Sequence, residues 1–264
     1  MPASRGSGDA VRRLRSVLGW GGIYLRHRVM SRATPRLANV RDLADAGPGI
    51  VRDMAYRSDA PMAGDAAPGG DLRWPPATVV DLRGAGEKEP SHPLAGASRI
   101  VGIDVLDAAA LTGGTRGSLD SLADLYAVMT APAAAPRLTR AVGELARAEA
   151  PVLVHCSAGK DRTGVVTALT LRLLGVEHDR VVADYVLTQH HMPRVLARML
   201  AGTRSSIGGT PLTSVPREIL AAPAAAIETV LHAWDAHEGG VEGWYLAHGG
   251  DRATLATLRG RLLA

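Results

Sequence analysis

The chain contains one cysteine, Cys156, in the stretch VLVHCSAGKDRTGVV, with Arg162 six residues after it. An apolar, β-branched run leads up to the thiol. Small residues and a glycine follow, then Lys160, Asp161 and Arg162, and the chain turns apolar again. The pattern predicts a strand ending at Cys156, a short loop, and a helix starting near Thr163. Peptide N–H groups at a helix N-terminus lack partners, and the aligned dipoles make that end positive. With only Ser157, Ala158 and Gly159 to accommodate, the loop backbone can curl until its N–H groups converge on one point. The product is a cradle for a tetrahedral dianion. Arg162 can close it with a two-pronged contact to two oxygens.

The same positive field favours the thiolate of Cys156. A thiolate beneath a bound phosphorus suits nucleophilic phosphoryl transfer through a cysteinyl-phosphate that water later hydrolyses. The leaving oxygen then requires a proton from a nearby carboxylic acid. Thr163 can offer its hydroxyl to the sulfur and ease its departure in the second step. This chemistry needs no metal and no cofactor. A nucleotide-binding loop does not fit, because Gly159-Lys160 is followed by Asp161 and not by a hydroxyl residue for magnesium. Arsenate-reductase chemistry would need further cysteines. His190-His191 cannot chelate from one helix face, and no third ligand accompanies them.

At 264 residues and 46% hydrophobic content the chain is long enough for one large domain. It has no Phe, so Leu, Val, Ala and a few Trp and Tyr must build the core. A single cysteine excludes intramolecular disulfides and fits a reducing compartment. The net charge of +4 suits anionic substrates but lacks the clustered stripe of a nucleic-acid binder. Of the 30 basic residues only Lys88 and Lys160 are lysines; the other 28 are arginines. Where a positive charge suffices the chain uses Arg, which draws attention to the lysine inside the loop.

Residues 1–36 read as a basic N-terminal extension around the apolar patch VLGWGGIYL, with Gly19, Gly21 and Gly22 interrupting any long helix. Such an arm can pack on the body or rest on an anionic membrane surface. It is not a secretory signal, being Gly-broken and closely followed by arginines, so a cytoplasmic location is expected. Residues 37–264 read as one domain. LANVRDL and MAYRSDA predict short strands, as do ATVVDLRG at 77–84 and RIVGIDVL at 99–106. Residues 108–135 form an Ala-, Gly- and Ser-rich excursion with one helix in it. A helix over 137–150, the strand PVLVHC, a helix over 163–175 ending on Gly175, and further helical segments complete an α/β domain with a helical C-terminal half.

HCSAGKDRTG resembles the signature loop of the Cys-based protein-tyrosine phosphatase superfamily, and its GKDR variant is similar to the bacterial branch of PtpB-type phosphatases. LANVRDL (with Val40 where that branch has Phe), AYRSDA, VVDLRGAGEKE, VVADYVLTQ and ATLATLRGRLL follow the branch's pattern in order. The resemblance implies a protein-tyrosine-phosphatase-like fold: a central, mixed or mostly parallel sheet flanked by helices. It implies phosphotyrosine proteins and phosphoinositide lipids as substrates. Cys156 would be the nucleophile and Arg162 the phosphate clamp, with Ser157, Ala158, Gly159, Lys160 and Asp161 supplying backbone donors and His155 ordering the loop. The general acid would be Asp161. Asp107 or Asp104 on a separate loop, and Asp81, are the alternatives. Asp81 and Arg83 would line the same pocket, and the Lys160 ammonium would reach a further phosphate group at its mouth. The branch carries a helical lid, for which residues 108–135 are available. A phosphate-binding module that uses the same cradle for recognition alone is the competing reading.

Overall fold

The computed structural model describes residues 35–106, 122–201, 206–207, 210–211 and 220–264. The expected extension lies outside these apart from Pro35 and Arg36, as do Asp107 and residues 108–121 of the excursion.

Five strands form one sheet: β1 (Arg41–Asp42), β2 (Ala55–Ser58), β3 (Thr78–Asp81), β4 (Arg99–Gly102) and β5 (Val152–His155), in the order β1-β2-β5-β3-β4. All neighbours are parallel except β1 with β2. The strand that is last in sequence is therefore central, with Val154 beside Arg57 of β2 and Val80 of β3. This explains the apolar run Val152–Val154: a strand paired on both edges and covered on both faces admits a polar residue only where it is hydrogen-bonded, as His155 is at the strand's end.

Alternation divides the side chains between two layers. Ala55, Val80, Val152 and Val154 face the main core. Tyr56, Val79 and Leu153 face the other way, against Leu72, Trp74, Leu94 and Ile100. Among the described residues the helices cover the first face, while Leu72, Trp74 and Leu94 from the chain on either side of β3 pack on the second, beside Ile100 of β4. The helices are α1 (Leu122–Thr130), α2 (Ala135–Arg147), α3 (Asp161–Leu173), α4 (His178–Ala201), α5 (Ala224–Asp235), α6 (Gly240–Ala247) and α7 (Arg252–Leu262). A short strand pair, β6 (Ser206–Ile207) and β7 (Thr210–Pro211), stands apart from the sheet. No helix of the described residues is long and apolar enough to cross a membrane.

Helix α3 runs back from the sheet's carboxyl end and is buried almost all round, through Val165, Val166, Leu169 and Leu171. It begins at Asp161, two residues earlier than the apolar pattern predicts, so Arg162 sits in its first turn. Open α/β sheets bind ligands beyond the carboxyl ends of their strands. Ser58, Asp81 and His155 lie at those ends, and the 156–160 loop leaves from the central one.

Candidate active site

Cys156 follows β5 directly and is 2% exposed. Beyond it the backbone folds over itself at Gly159, whose φ is +68°. A Cβ there would stand 2.3 Å from the Ser58 carbonyl oxygen, so both the dihedral angle and the close approach require glycine. The carbonyls of His155, Ser157, Ala158 and Gly159 are held from outside the loop. Leu82 N–H donates to His155 O (2.9 Å) and Ala60 N–H to Ser157 O (3.1 Å). The Asn39 amide donates to Ala158 O (3.2 Å) and Gly159 O (3.1 Å), and Arg57 Nη2 donates to Gly159 O (2.9 Å). No backbone carbonyl of the described residues accepts from the N–H groups of Ser157 to Arg162. A loop whose acceptors are satisfied on one side and whose donors are not is an anion cradle.

The side chains that hold it come from three separate segments, none of which was assigned a role from sequence. Asp184 of α4 takes Arg41 Nε on Oδ1 (2.6 Å) and Arg57 Nη1 on Oδ2. Arg41 also donates to Asn39 Oδ1 (2.7 Å), which orients the amide that holds the loop. Burial pushes Asp184 up, but the fields of Arg57 and Arg41 and their hydrogen bonds outweigh it and hold the carboxyl below its ordinary value. The resembling stretches around Asn39, Arg57 and Asp184 thus form one buried network under the cradle.

The Arg162 guanidinium meets Glu87, in the 3-10 turn 85–87 after β3, through Nη1 and through Nη2 at 2.7 Å. Ser157 Oγ donates to the same carboxylate at 2.7 Å. Burial raises Glu87, but the hydrogen bond and charge of Arg162 prevail and bring it down to about 2. Burial opposes the charge of Arg162 too, and Glu87 together with Cys156 more than restores it. Glu87 therefore fixes the plane of the Arg162 guanidinium. The sequence reading passed over it, although an acid in the glycine-rich turn after a strand of the same sheet was the available signal.

Asp81 and Arg83, read as pocket-lining, are instead buried and paired with each other. Arg83 donates Nε to Oδ1 and Nη2 to Oδ2 of Asp81, both at 2.8 Å, and Nη1 to the Glu87 carbonyl at 3.2 Å. With both groups almost inaccessible, neither is open to a substrate. They hold the turn that carries Glu87. Burial raises Asp81, but Arg83's hydrogen bonds and charge prevail and keep it far below the carboxylate range, so it has no proton to give at neutral pH.

His155 is fully buried with Nδ1 3.0 Å from the Cys156 carbonyl, which can only accept. The proton is therefore on Nδ1, and Nε2 accepts from His92 Nε2 at 3.1 Å. Leu94 N–H donating to His92 Nδ1 fixes the complementary tautomer. Burial, aided by the charge of Arg83, outweighs the field of Asp81 and lowers His155 to about 4, so it is neutral and orders the loop as an uncharged hydrogen-bonding group. Asp81, His92 and His155 bring possible metal-ligand atoms within 4.8 Å of one another. They do not suit a metal: Arg83 occupies both oxygens of Asp81, and the tautomer of His92 points a proton where the ion would be.

Asp161 opens α3 and is 22% exposed. Tyr126 Oη donates to its Oδ1 at 3.0 Å, and Lys160 Nζ lies 3.3 Å from the same oxygen. Lys160 corrects the expectation of a pocket-mouth cation. It is 2% exposed, and its ammonium donates to the Ala221 carbonyl at 2.8 Å. Its stem runs inward and ties the loop to the chain before α5. Asp104 accepts from Leu106 N–H at 3.2 Å and makes no hydrogen bond to residues 156–162. The Thr163 hydroxyl is buried with no hydrogen-bond partner, so it makes none to the Cys156 sulfur.

A family model described as "Tyrosine phosphatase family" matches residues 33–264. The triple specificity protein phosphatase PtpB of Mycobacterium tuberculosis is 46% identical over 65 residues, which is 25% of this chain and 24% of that protein. That match thus spans about a quarter of the relative's length. A candidate tyrosine-protein phosphatase of Cupriavidus necator is 31% identical over 251 residues, 86% of each chain. A tyrosine-protein phosphatase of Nostoc commune is 43% identical over 47 residues, 18% of this chain and 16% of that one. By the span of the family match and the near full-length relative, the chain belongs to the tyrosine phosphatase family, in its bacterial Cys-based branch.

Proposed function

We propose that the protein hydrolyses phosphotyrosine through a cysteinyl-phosphate intermediate. The observation that carries this is the 156–162 loop, with every carbonyl from Ser157 to Gly159 tied outward, Cys156 at its base and Arg162 aligned by Glu87. In the first step the Cys156 thiolate attacks phosphorus and the bond to the aryl oxygen breaks. The backbone N–H groups and Arg162 stabilise the charge on the equatorial oxygens, and Asp161 gives its proton to the leaving oxygen. In the second step water attacks phosphorus, Asp161 takes the water proton, and the sulfur leaves as thiolate. Phosphoinositides form a second proposed substrate class, supported by the resemblance to the PtpB-type branch and by the name "triple specificity" that the mycobacterial relative bears. The burial of Lys160 removes the residue-level argument for that class, so a multiply phosphorylated ring would need other cations.

The test is turnover of para-nitrophenyl phosphate and of a phosphotyrosine peptide in excess EDTA, with Cys156→Ser and Asp161→Asn beside the wild type. Cys156→Ser should abolish turnover while vanadate or phosphate still binds, because the cradle is mostly backbone. Asp161→Asn should lose far more rate on poor leaving groups than on activated aryl phosphates. Phosphate binding without turnover in the wild type would instead favour the recognition module.

A further inference from the structure

The carboxyl of Asp161 has its two oxygens in different surroundings. Tyr126 Oη, at 3.0 Å, and Lys160 Nζ, at 3.3 Å, both address Oδ1. No hydrogen bond from a described residue reaches Oδ2. A proton on Oδ1 would face two donors, whereas a protonated carboxyl with its C=O at Oδ1 satisfies both and carries the O–H on Oδ2. Tyr126 is itself held. It lies buried on α1, and its hydroxyl is 2.6 Å from that of Tyr185 on α4. Since the Tyr126 proton goes to Asp161, Tyr185 is the donor to Tyr126. Burial first, and then the charge of Asp161, raise the Tyr126 phenol well above its ordinary value, so it remains a donor throughout the working range. Gly164, in the first turn of α3, gives Tyr185 its place. A Cβ there would stand 3.0 Å from Tyr185 Cδ2 and 3.1 Å from Cε2. Glycine is a poor helix former, and here the space it leaves is filled by the ring.

We infer that Tyr126, backed by Tyr185, is a positioning residue for the proton transfer: it fixes the rotation of the Asp161 carboxyl so that Oδ2 presents the acid proton to the leaving oxygen. This rests on the proposed reading of Asp161 as general acid. The hydroxyl touches Asp161 alone in that reaction and does not itself move a proton to substrate.

The experiment is a leaving-group series, from an activated dinitrophenyl phosphate to phenyl phosphate and a phosphotyrosine peptide. It uses Tyr126→Phe, Tyr185→Phe, Asp161→Asn and the Tyr126→Phe/Asp161→Asn double variant. Tyr126→Phe should lower kcat on the poorest leaving groups by about tenfold, as loosening a reacting group does, with KM unchanged and less than about twofold loss on the activated ester. Tyr185→Phe should show the same dependence with a smaller loss, of about threefold. The double variant should be no slower than Asp161→Asn, because there is no acid left to position. If Asp161→Asn is selective for poor leaving groups but Tyr126→Phe slows every substrate equally, or none, the positioning role is overturned while the acid stands. If Asp161→Asn is itself uniform, the assignment of the acid fails and this inference falls with it. Should Tyr126→Phe melt at the assay temperature, Tyr185→Phe decides by the same criterion, and a uniform or absent loss there overturns the role.

Discussion

Asp184→Asn tests whether buried charge, rather than local loop sequence, keeps the cradle in shape. Wild type places one carboxylate between two guanidiniums, all but inaccessible, with side chains 7%, 8% and 1% exposed for Asp184, Arg41 and Arg57. The cluster therefore carries a formal charge of +1. Asparagine preserves the shape but raises that to +2, and it turns an amide N–H toward one of the guanidinium donors. Removing one partner of a buried pair costs about 3–5 kcal/mol, and a domain has roughly 5–15 kcal/mol in total. Arg57→Met is the informative contrast, because it leaves a neutral Arg41–Asp184 pair. It should destabilise less than Asp184→Asn, yet it removes the donor to Gly159 O and so should still damage turnover. The assay is urea unfolding by circular dichroism with the slope checked for constancy, run beside kcat/KM on para-nitrophenyl phosphate. A loss below about 1 kcal/mol for Asp184→Asn at unchanged slope, or a larger loss for Arg57→Met, would refute the argument that these charges compensate one another.

Two further perturbations probe the clamp and the turn. Glu87→Gln should lower kcat/KM by about ten- to a hundredfold, because the Arg162 plane is no longer fixed. Glu87 is depressed from 4.5 to about 2, so its stabilising contribution is complete above pH 4.5 and is lost as the pH falls toward 2. The stability difference between wild type and Glu87→Gln should accordingly shrink across that window; a difference constant from pH 6 to pH 2 would contradict the ion pair. Gly159→Ala places a side chain at φ +68° and a methyl 2.3 Å from Ser58 O, so it should cost at least about 1–2 kcal/mol from the dihedral angle alone. Vanadate affinity measured by isothermal titration should fall by more than about tenfold, and retained affinity would mean that the loop backbone does not need this conformation.

What could be read from the sequence was what the chain settles locally. The β-branched run of β5, the small residues after Cys156 and the early turn of α3 are contiguous, so strand, cradle and clamp followed from order along the chain. The pairing of Asp81 and Arg83 is local, with Asp81 ending β3 and Arg83 two residues on, yet nothing in their order shows that both oxygens of Asp81 are taken and both groups buried. Glu87 and Arg162 are 75 residues apart, and Arg41 and Asp184 are 143 apart. Nothing in spacing selects such partners before the fold is known. Lys160 stands out in the sequence as one of only two lysines, but its partner carbonyl, Ala221, is 61 residues away, and the ammonium turns inward rather than to the pocket mouth.

The imbalance between arginine and lysine also has a physical reading in this fold. Arg41 spans a carboxylate, an amide oxygen and the Asp184 carbonyl at once, and Arg198 reaches Asp59, Asp65 and the carbonyls of Arg36 and Ala60. Arg261 joins the carbonyls of Ala146 and Ala148 at the end of α2, where helix carbonyls lack partners. Arg172 and Arg259 hold the carbonyls of Val176 and Leu173 near the end of α3. Five donors in a rigid plane let one side chain satisfy several fixed acceptors, which an ammonium on a flexible stem does poorly. The loop at Lys160 sets the opposite demand. Its side chain is buried, and its compact ammonium meets the Ala221 carbonyl and lies beside Asp161 Oδ1, contacts that a point charge on a flexible stem reaches without the planar fork of a guanidinium. An arginine-rich chain therefore keeps a lysine at this loop position, where its ammonium is compact enough to sit buried beside Asp161.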